Sequence, residues 1–293
     1  MNYPDLFDQS AYHSVTPFSA QLLKWIGNKQ RFAHEIIRAF PPRFGRYYEP
    51  FLGSGAVIGT LAPTNGYGSD VFKPLIEIWQ TLHRRPEQLL DWYRERFELI
   101  ETLGKDRAYE KVRGSYNRTP NGADLLFLSR TCYGGVVRFR KTDGYMSTPC
   151  GVHSPISPRS FKLRVEEWHR RTRGVEFRHL DYREAMREAE AGDLVYCDPP
   201  YSNSQTILYG AQAFSLSELF DEIERCKVRG VFVALSIDGS KKSGNHHVKI
   251  APPAGLFVNE IFVNCGRSML RRFQLGGHTL EGEVVADRLL TTY

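Results

Sequence analysis

Apolar residues along KQRFAHEIIRAF (29–40) recur at helical spacing: Phe32, Ile36, Ile37 and Phe40 fall on one stripe, and Pro41-Pro42 ends the run. The pattern then changes. RYYEPFLGSGAV (46–57) reads as a short strand, a glycine-bearing turn and the start of a helix. A second short strand is predicted to end at Asp70, ahead of a helical run PLIEIWQTLHR. That order opens a βαβ unit and predicts an α/β fold with a parallel, doubly wound sheet. From about 87 to 130 the periodicity is helical and amphipathic, whereas 131–158 is rich in Gly, Pro, Ser and Arg with little sustained period, as in a binding loop within an insert. VEFRHL, DLVYCDPPY and VFVALS read as strands, and a capping box from Ser215 to Glu218 opens a helix between the last two. GLFVNEIFV and EGEVVADRLLTTY predict a closing antiparallel hairpin with a long connection.

The chain has 293 residues, enough for one sizeable core and a smaller appended domain. Its net charge of +6 favours a polyanionic partner. Five cysteines, Cys132, Cys150, Cys197, Cys226 and Cys265, are scattered without a CxxC pair, which suggests neither a disulfide framework nor a zinc site and fits a reducing cytosol. The N-terminal MNYPDLFDQSAYH lacks a basic stretch followed by an apolar one, and no segment has the roughly 18 consecutive apolar residues that would span a bilayer. A soluble, unexported protein is expected.

The strongest chemical signal is DLVYCDPPY. An apolar strand delivers Asp198 to the carboxyl edge of the sheet, where doubly wound folds place ligands, and Pro199 and Pro200 stiffen the backbone beside it. Asp198 and the Pro199 carbonyl then present two fixed acceptors. Methyl transfer to the 6-amino group of adenine needs that arrangement, because the amine lone pair is delocalised into the ring. Two acceptors gripping its hydrogens favour a more pyramidal, nucleophilic nitrogen. Tyr201 supplies a ring on which an extruded base can stack. Gly53 and Gly55 let a ligand approach the backbone at a helix N-terminus, and Asp70, at the end of the next strand, can accept hydrogen bonds from ribose hydroxyls. The two together suggest a nucleoside-bearing cofactor.

In the order cofactor motifs, insert, catalytic motif, the chain resembles the Dam-type adenine-specific DNA methyltransferases. QLLKWIGNKQR (21–31) is similar to that family's LKWxGGK, with Trp25 and Lys29 where the cofactor is contacted. EPFLGSGAV resembles EPFxGSGAV, which implies cofactor roles for Glu49, Pro50, Phe51, Gly53, Ser54 and Gly55, and Asp70 stands at the ribose-binding acid. LDYREAM resembles the segment that meets the cofactor's adenine, here through Asp181 and Tyr182. Asp198, Pro199, Pro200 and Tyr201 match the catalytic motif, and ADRLLTTY resembles the closing strand. In the insert, SRTCYGGVVRFR resembles NRxxYNGLxRxN, with Tyr133 and Arg138 matched. Gly134 and Arg140 replace asparagines there, and Asn28 replaces a glycine of the first motif, so the resemblance does not imply the family's GATC target.

The resemblance implies a Rossmann-like sheet that uses S-adenosyl-L-methionine, with a catalytic domain from 1–84 and 166–293 and a mainly helical target-recognition insert at 85–165. The implied partner is double-stranded DNA, with a cognate restriction endonuclease left open, and the implied location is the cytoplasm, at the nucleoid, of a bacterial, archaeal or phage-infected cell. RFRK (138–141) and GRSMLRRF (266–273) offer phosphate contacts through Arg140, Lys141, Arg267, Arg271 and Arg272, while the resemblance places Arg138 at a base-contacting arginine of the family; RVEEWHRRTR, with its compensating glutamates, reads as a solvated helix face. Pro149-Cys150 invites a cytosine-C5 reading, but no partner motif accompanies it. Transfer to cytosine N4, or to RNA or a protein amide on a similar scaffold, stays open, although those motifs normally begin with Ser or Asn. His246-His247 and His278 lack a supporting ligand set, and no metal is needed because a sulfonium already activates its methyl group.

Overall fold

The computed structural model describes residues 15–200, 214–237, 251–264 and 286–293. Tyr201, the GRSMLRRF arginines, Cys265 and the three histidines just named lie outside the described residues.

Strands β1 (Tyr47–Glu49), β2 (Gly66–Asp70), β3 (Val175–His179), β4 (Leu194–Cys197), β5 (Phe232–Ile237), β6 (Asn259–Asn264) and β7 (Ala286–Thr291) form a seven-stranded sheet in the order β3-β2-β1-β4-β5-β7-β6. The first five run parallel, and β7 pairs antiparallel with both β5 and β6, so the predicted closing hairpin is present. This is a Rossmann-like sheet with an antiparallel closing hairpin. Strands β1 and β4 are buried at every position, as befits central parallel strands covered on both faces. Alternate side chains divide between the faces. Tyr47 and Tyr196 join a cluster with Ile36 and Ile37 of α1 (Ala33–Arg38) and Trp79 of α3 (Lys73–Arg84). Tyr48 and Val195 join Met186 of α8 (Tyr182–Arg187) and Ile223 of α9 (Leu216–Val228) on the other. The chain reverses direction across the sheet between β1 and β4, the place where such folds open a crevice at the carboxyl ends of their strands.

Between β2 and β3 run α3, α4 (Pro86–Leu103), α5 (Lys105–Arg118), α6 (Gly122–Thr131), an irregular loop and α7 (Pro158–Arg171). Every residue of α6 is buried, which accounts for its lack of an amphipathic stripe. Helix α7 is both solvated and structural. Glu167 pairs with Arg170 and Arg171 on the outside, while Trp168 turns inward, packs 5.2 Å from Trp79 and donates its indole N–H to the Ala20 carbonyl at 2.7 Å. No helix among the described residues is long and apolar enough to cross a membrane.

Two local expectations change. The helix expected over 29–40 spans only Ala33–Arg38, because Lys29 to Phe32 form turns that aim Lys29 elsewhere. Ser215 does cap α9 through the Glu218 amide, but the Glu218 carboxylate reaches Arg183 at 3.0 Å rather than closing a capping box.

Gly59, inside α2 (Ala56–Leu61), lies flat against the Trp168 ring, and a Cβ there would overlap it. Gly59→Ala is therefore expected to destabilise the fold by about 1 to 3 kcal/mol, despite its gain in helix propensity. Urea denaturation measures this, and an unchanged or higher midpoint would remove the packing argument.

Candidate active site

The carboxyl ends of β1, β2 and β4 and the start of α8 converge on a cavity of about 380 Å3 lined by Glu49, Asp70, Asp181 and Asp198. Each acid arrives by a short route from the sheet. Glu49 ends β1, Asp70 ends β2, Asp181 caps α8 just after β3, and Asp198 follows β4.

The glycine turn after β1 is shaped by its left-handed residues, Gly53 (φ 46°) and Gly55 (φ 62°), with Gly55 capping α2. Asp70 holds this turn. Its carboxylate accepts from the Gly53 amide at 3.1 Å and the Phe72 amide at 3.0 Å, while Trp79 donates to the Gly53 carbonyl at 3.1 Å. Burial pushes the Asp70 carboxyl above its ordinary range, and these amides oppose that shift. Both oxygens keep lone pairs for a ligand.

Asp198 meets Lys29, whose ammonium lies 3.1 Å from one carboxylate oxygen and is only 5% exposed. At Asp181 burial works against the charge, but two hydrogen bonds from the Arg183 guanidinium and one from its amide prevail and hold the carboxyl low. Among the described residues Glu49 has no cation partner of this kind. It accepts from the Tyr47 hydroxyl and the Ile58 amide, each at 2.8 Å, yet burial, with the nearby Asp198 charge adding to it, pushes its carboxyl up to about 8.

One wall is aromatic. Phe51 and Tyr182 stack at 5.1 Å, Phe214 meets both edge-on, and the buried Tyr182 hydroxyl has no hydrogen-bond partner among the described residues. Of the sequence-predicted residues, Trp25, Lys29, Glu49, Pro50, Phe51, Gly53, Ser54, Asp70, Asp181, Tyr182, Asp198 and Pro200 line the cavity, and Gly55 shapes its turn. Pro199 does not line it. Sequence reasoning missed Ile26, Phe72, Arg183 and Phe214. Arg183 could have been suspected as a partner two residues from Asp181. Phe214 carried no signal.

The loop after α6 abuts this cavity. Phe72, on the cavity wall, meets Phe139 edge-on at 5.6 Å, and Gly135 lies against Lys24, next to Trp25. Tyr133 is 39% exposed, and Arg138, Arg140 and Lys141 are exposed. Arg140 is engaged, bonding Asp143 through two nitrogens and lying 4.3 Å from the Tyr145 ring centre. Lys24, Arg130 and Arg164 form a further basic cluster drawn from three distant segments. Burial, then the Arg130 charge, lowers the Lys24 ammonium. The two arginines donate to the Gln21 carbonyl, and among the described residues none of the three has a carboxylate ion pair.

Residues 25–244 match the family described as D12 class N6 adenine-specific DNA methyltransferase. The chain belongs to that family. A type II methyltransferase of Lactococcus lactis subsp. cremoris is 25% identical over 244 residues, covering 78% of this chain and 82% of that protein. A DNA adenine methylase of Vibrio cholerae is 25% identical over 227 residues, covering 73% and 79%. The DNA N-6-adenine-methyltransferase of Escherichia phage P1 is 28% identical over 190 residues, covering 63% of this chain and 24% of that much longer protein. In this D12 methyltransferase the matched span takes in β1 to β5, the cavity and the loop beside it.

Glu49 gives a pH test of the buried acid. Its carboxyl titrates near 4.5 in an unfolded chain and near 8 in the folded one, so the folded state keeps a proton that the unfolded state releases. The resulting penalty on stability is absent below about pH 4.5, grows as pH rises through that window and is complete above about 8. Glu49→Gln should remove this slope, gaining on the order of 3 kcal/mol at pH 8 relative to its effect at pH 5. Urea unfolding at the two pH values, with parallel slopes for both proteins, would contradict the assignment.

Proposed function

We propose that this D12 methyltransferase transfers a methyl group from S-adenosyl-L-methionine to the 6-amino group of an adenine flipped out of double-stranded DNA. The observation that carries this reading is Asp198, set at the sheet edge and held by Lys29 beside a cavity whose other acids suit the cofactor.

The residues present fit that cofactor. About 380 Å3 lies within the range of small-molecule sites, and the acids outnumber the bases on its walls, as suits a cation bearing hydroxyls. Asp70 would take the ribose hydroxyls. Phe51 and Tyr182 would flank the adenine, with Asp181 and the unpartnered Tyr182 hydroxyl at its polar edge. Glu49 would ionise against the positive charge. When bound, the cofactor supplies a methyl group already activated by a sulfonium.

The chain's own groups do the rest. The target base must leave the duplex for its amine to reach this depth, and Tyr201, in the matched motif, would stack on it. The Asp198 carboxylate and the Pro199 carbonyl accept the two amine hydrogens, which draws the lone pair out of conjugation. The same carboxylate stabilises the positive charge that develops on the nitrogen. Lys29 fixes the carboxylate's orientation and is a positioning residue for that step. We assign residues 85–165 as the target-recognition insert, with Tyr133 and Arg138 at its base-reading face and Arg140 and Lys141 beside the backbone. Lys24, Arg130 and Arg164 add positive charge to that side. Arg267, Arg271 and Arg272 are assigned phosphate contacts from sequence. We infer a cytoplasmic enzyme, since its DNA lies there.

Asp198→Ala should abolish methyl transfer, measured with tritiated cofactor, while calorimetry finds cofactor and DNA affinity within a few-fold of the parent. Near-parental turnover would end the proposal. Asp70→Ala should do the converse, weakening the cofactor by roughly 1 to 3 kcal/mol through the loss of a charged hydrogen-bond acceptor.

Arg138→Ala separates base reading from phosphate binding. A guanidinium paired with a guanine edge discriminates by about 1 to 3 kcal/mol, so the variant should relax the methylated site at one base pair. A uniform loss at every site with a flatter salt dependence would instead make Arg138 a backbone contact.

A further inference from the structure

Two cysteines that the sequence separates by seventeen intervening residues face each other at the base of the recognition loop. Cys132, after α6, and Cys150 form an isolated antiparallel bridge. The flanking hydrogen bonds define its type: the Tyr133 amide donates to the Pro149 carbonyl at 2.9 Å and the Gly151 amide to the Thr131 carbonyl at 2.8 Å. Those bonds join the residues on either side, so Cys132 and Cys150 are a non-hydrogen-bonded pair, the closer kind, with Cα atoms about 4.5 Å apart. That falls within the range of roughly 4.4 to 6.8 Å that disulfides span. Both side chains sit on the same face of a two-stranded crossing, as directly opposed residues must. Both cysteines are free thiols here.

We propose that Cys132 and Cys150 are a disulfide-forming site that clamps the base of the recognition loop, closing residues 133–149 into a covalent ring in their present register. The oxidant is a small disulfide such as oxidised glutathione. The half-buried Cys150 is the sulfur it reaches first, since Cys132 is only 5% exposed. The Cys150 thiolate attacks one sulfur of the small disulfide and expels the first small thiolate. The Cys132 thiolate then attacks the Cys150 sulfur and expels the second. Two protons leave the protein thiols, the small disulfide is reduced to two thiols, and one protein S–S bond forms. The bridge itself does not rest on the proposed function; only its effect on DNA binding does.

The surroundings set the rate. Burial pushes the Cys150 thiol up to about 11, with the Asp106 and Glu110 carboxylates adding to the shift and the Lys105 ammonium opposing it. Burial pushes Cys132 to about 12 against the nearby Lys24 ammonium. Closure is therefore slow at neutral pH and accelerates about tenfold per pH unit between 7 and 9.

The test treats the full chain with oxidised glutathione, blocks residual thiols with iodoacetamide and cleaves with trypsin at the exposed Arg138, Arg140 and Lys141, which lie between the two cysteines. Without reductant the halves of the nicked chain should stay joined, and dithiothreitol should part them. Peptide mapping should find Cys132 linked to Cys150, and Cys150→Ser should abolish the link. A glutathione adduct that persists on Cys150, or a link to Cys197, Cys226, Cys265 or a second molecule in its place, would overturn the site. Because the bridge fastens an existing register, the oxidised enzyme should bind a duplex that it methylates with affinity within about fivefold of the reduced form. A larger loss with the Cys132–Cys150 link in place would overturn the clamp while leaving the proposed function intact, and loss of methylation by the reduced enzyme would do the reverse.

Discussion

A carboxyl group taken out of water has to be met by donors, a cation or a proton, and the carboxyl edge of this sheet takes four of them. Each is met differently. Asp70 receives backbone amides, Asp181 an adjacent guanidinium and a helix start, Asp198 an ammonium from a distant turn, and Glu49 mainly a proton. The surrounding architecture follows from those needs. The left-handed glycines turn the Gly53 amide toward Asp70, the turns before α1 bring Lys29 to Asp198, and α8 begins where Asp181 can cap it.

The helices between β2 and β3 pack directly onto the sheet. Helices α4 to α7 share one apolar cluster with the face of the sheet that carries Tyr47 and Tyr196, through Tyr93, Phe161 and Trp168. The loop that they present reaches the cavity wall through Phe139 and Phe72. The loop and the cavity are thereby tied to one packed core.

What was legible in the sequence was local. The glycine turn, Asp70 and the strand before Asp198 each announce themselves within a dozen residues, because strand, turn and acid are covalently close. The chain order of the motifs then gave the sheet and the family. Pairings across the fold were not legible. Lys29 was expected at the cofactor, and nothing in its neighbourhood signals Asp198, 169 positions away, as its partner. Glu218 completed a local capping pattern on paper, yet its carboxylate goes to Arg183, since a guanidinium fixed beside Asp181 offers a stronger bond than a backbone amide. Phe214 and the Lys24, Arg130 and Arg164 cluster likewise exist only once the chain is folded.

The contact between Gly59 and Trp168 has an evolutionary consequence. A ring that lies where a methyl group would go ties the choice of residue at one position to the choice at another 109 residues later. Among related chains, any side chain larger than hydrogen at the first position should be accompanied by something smaller than tryptophan at the second. Substitutions there should be inherited in pairs, and a β2-to-β3 segment borrowed from another lineage should graft successfully only when its last helix brings a compatible residue with it.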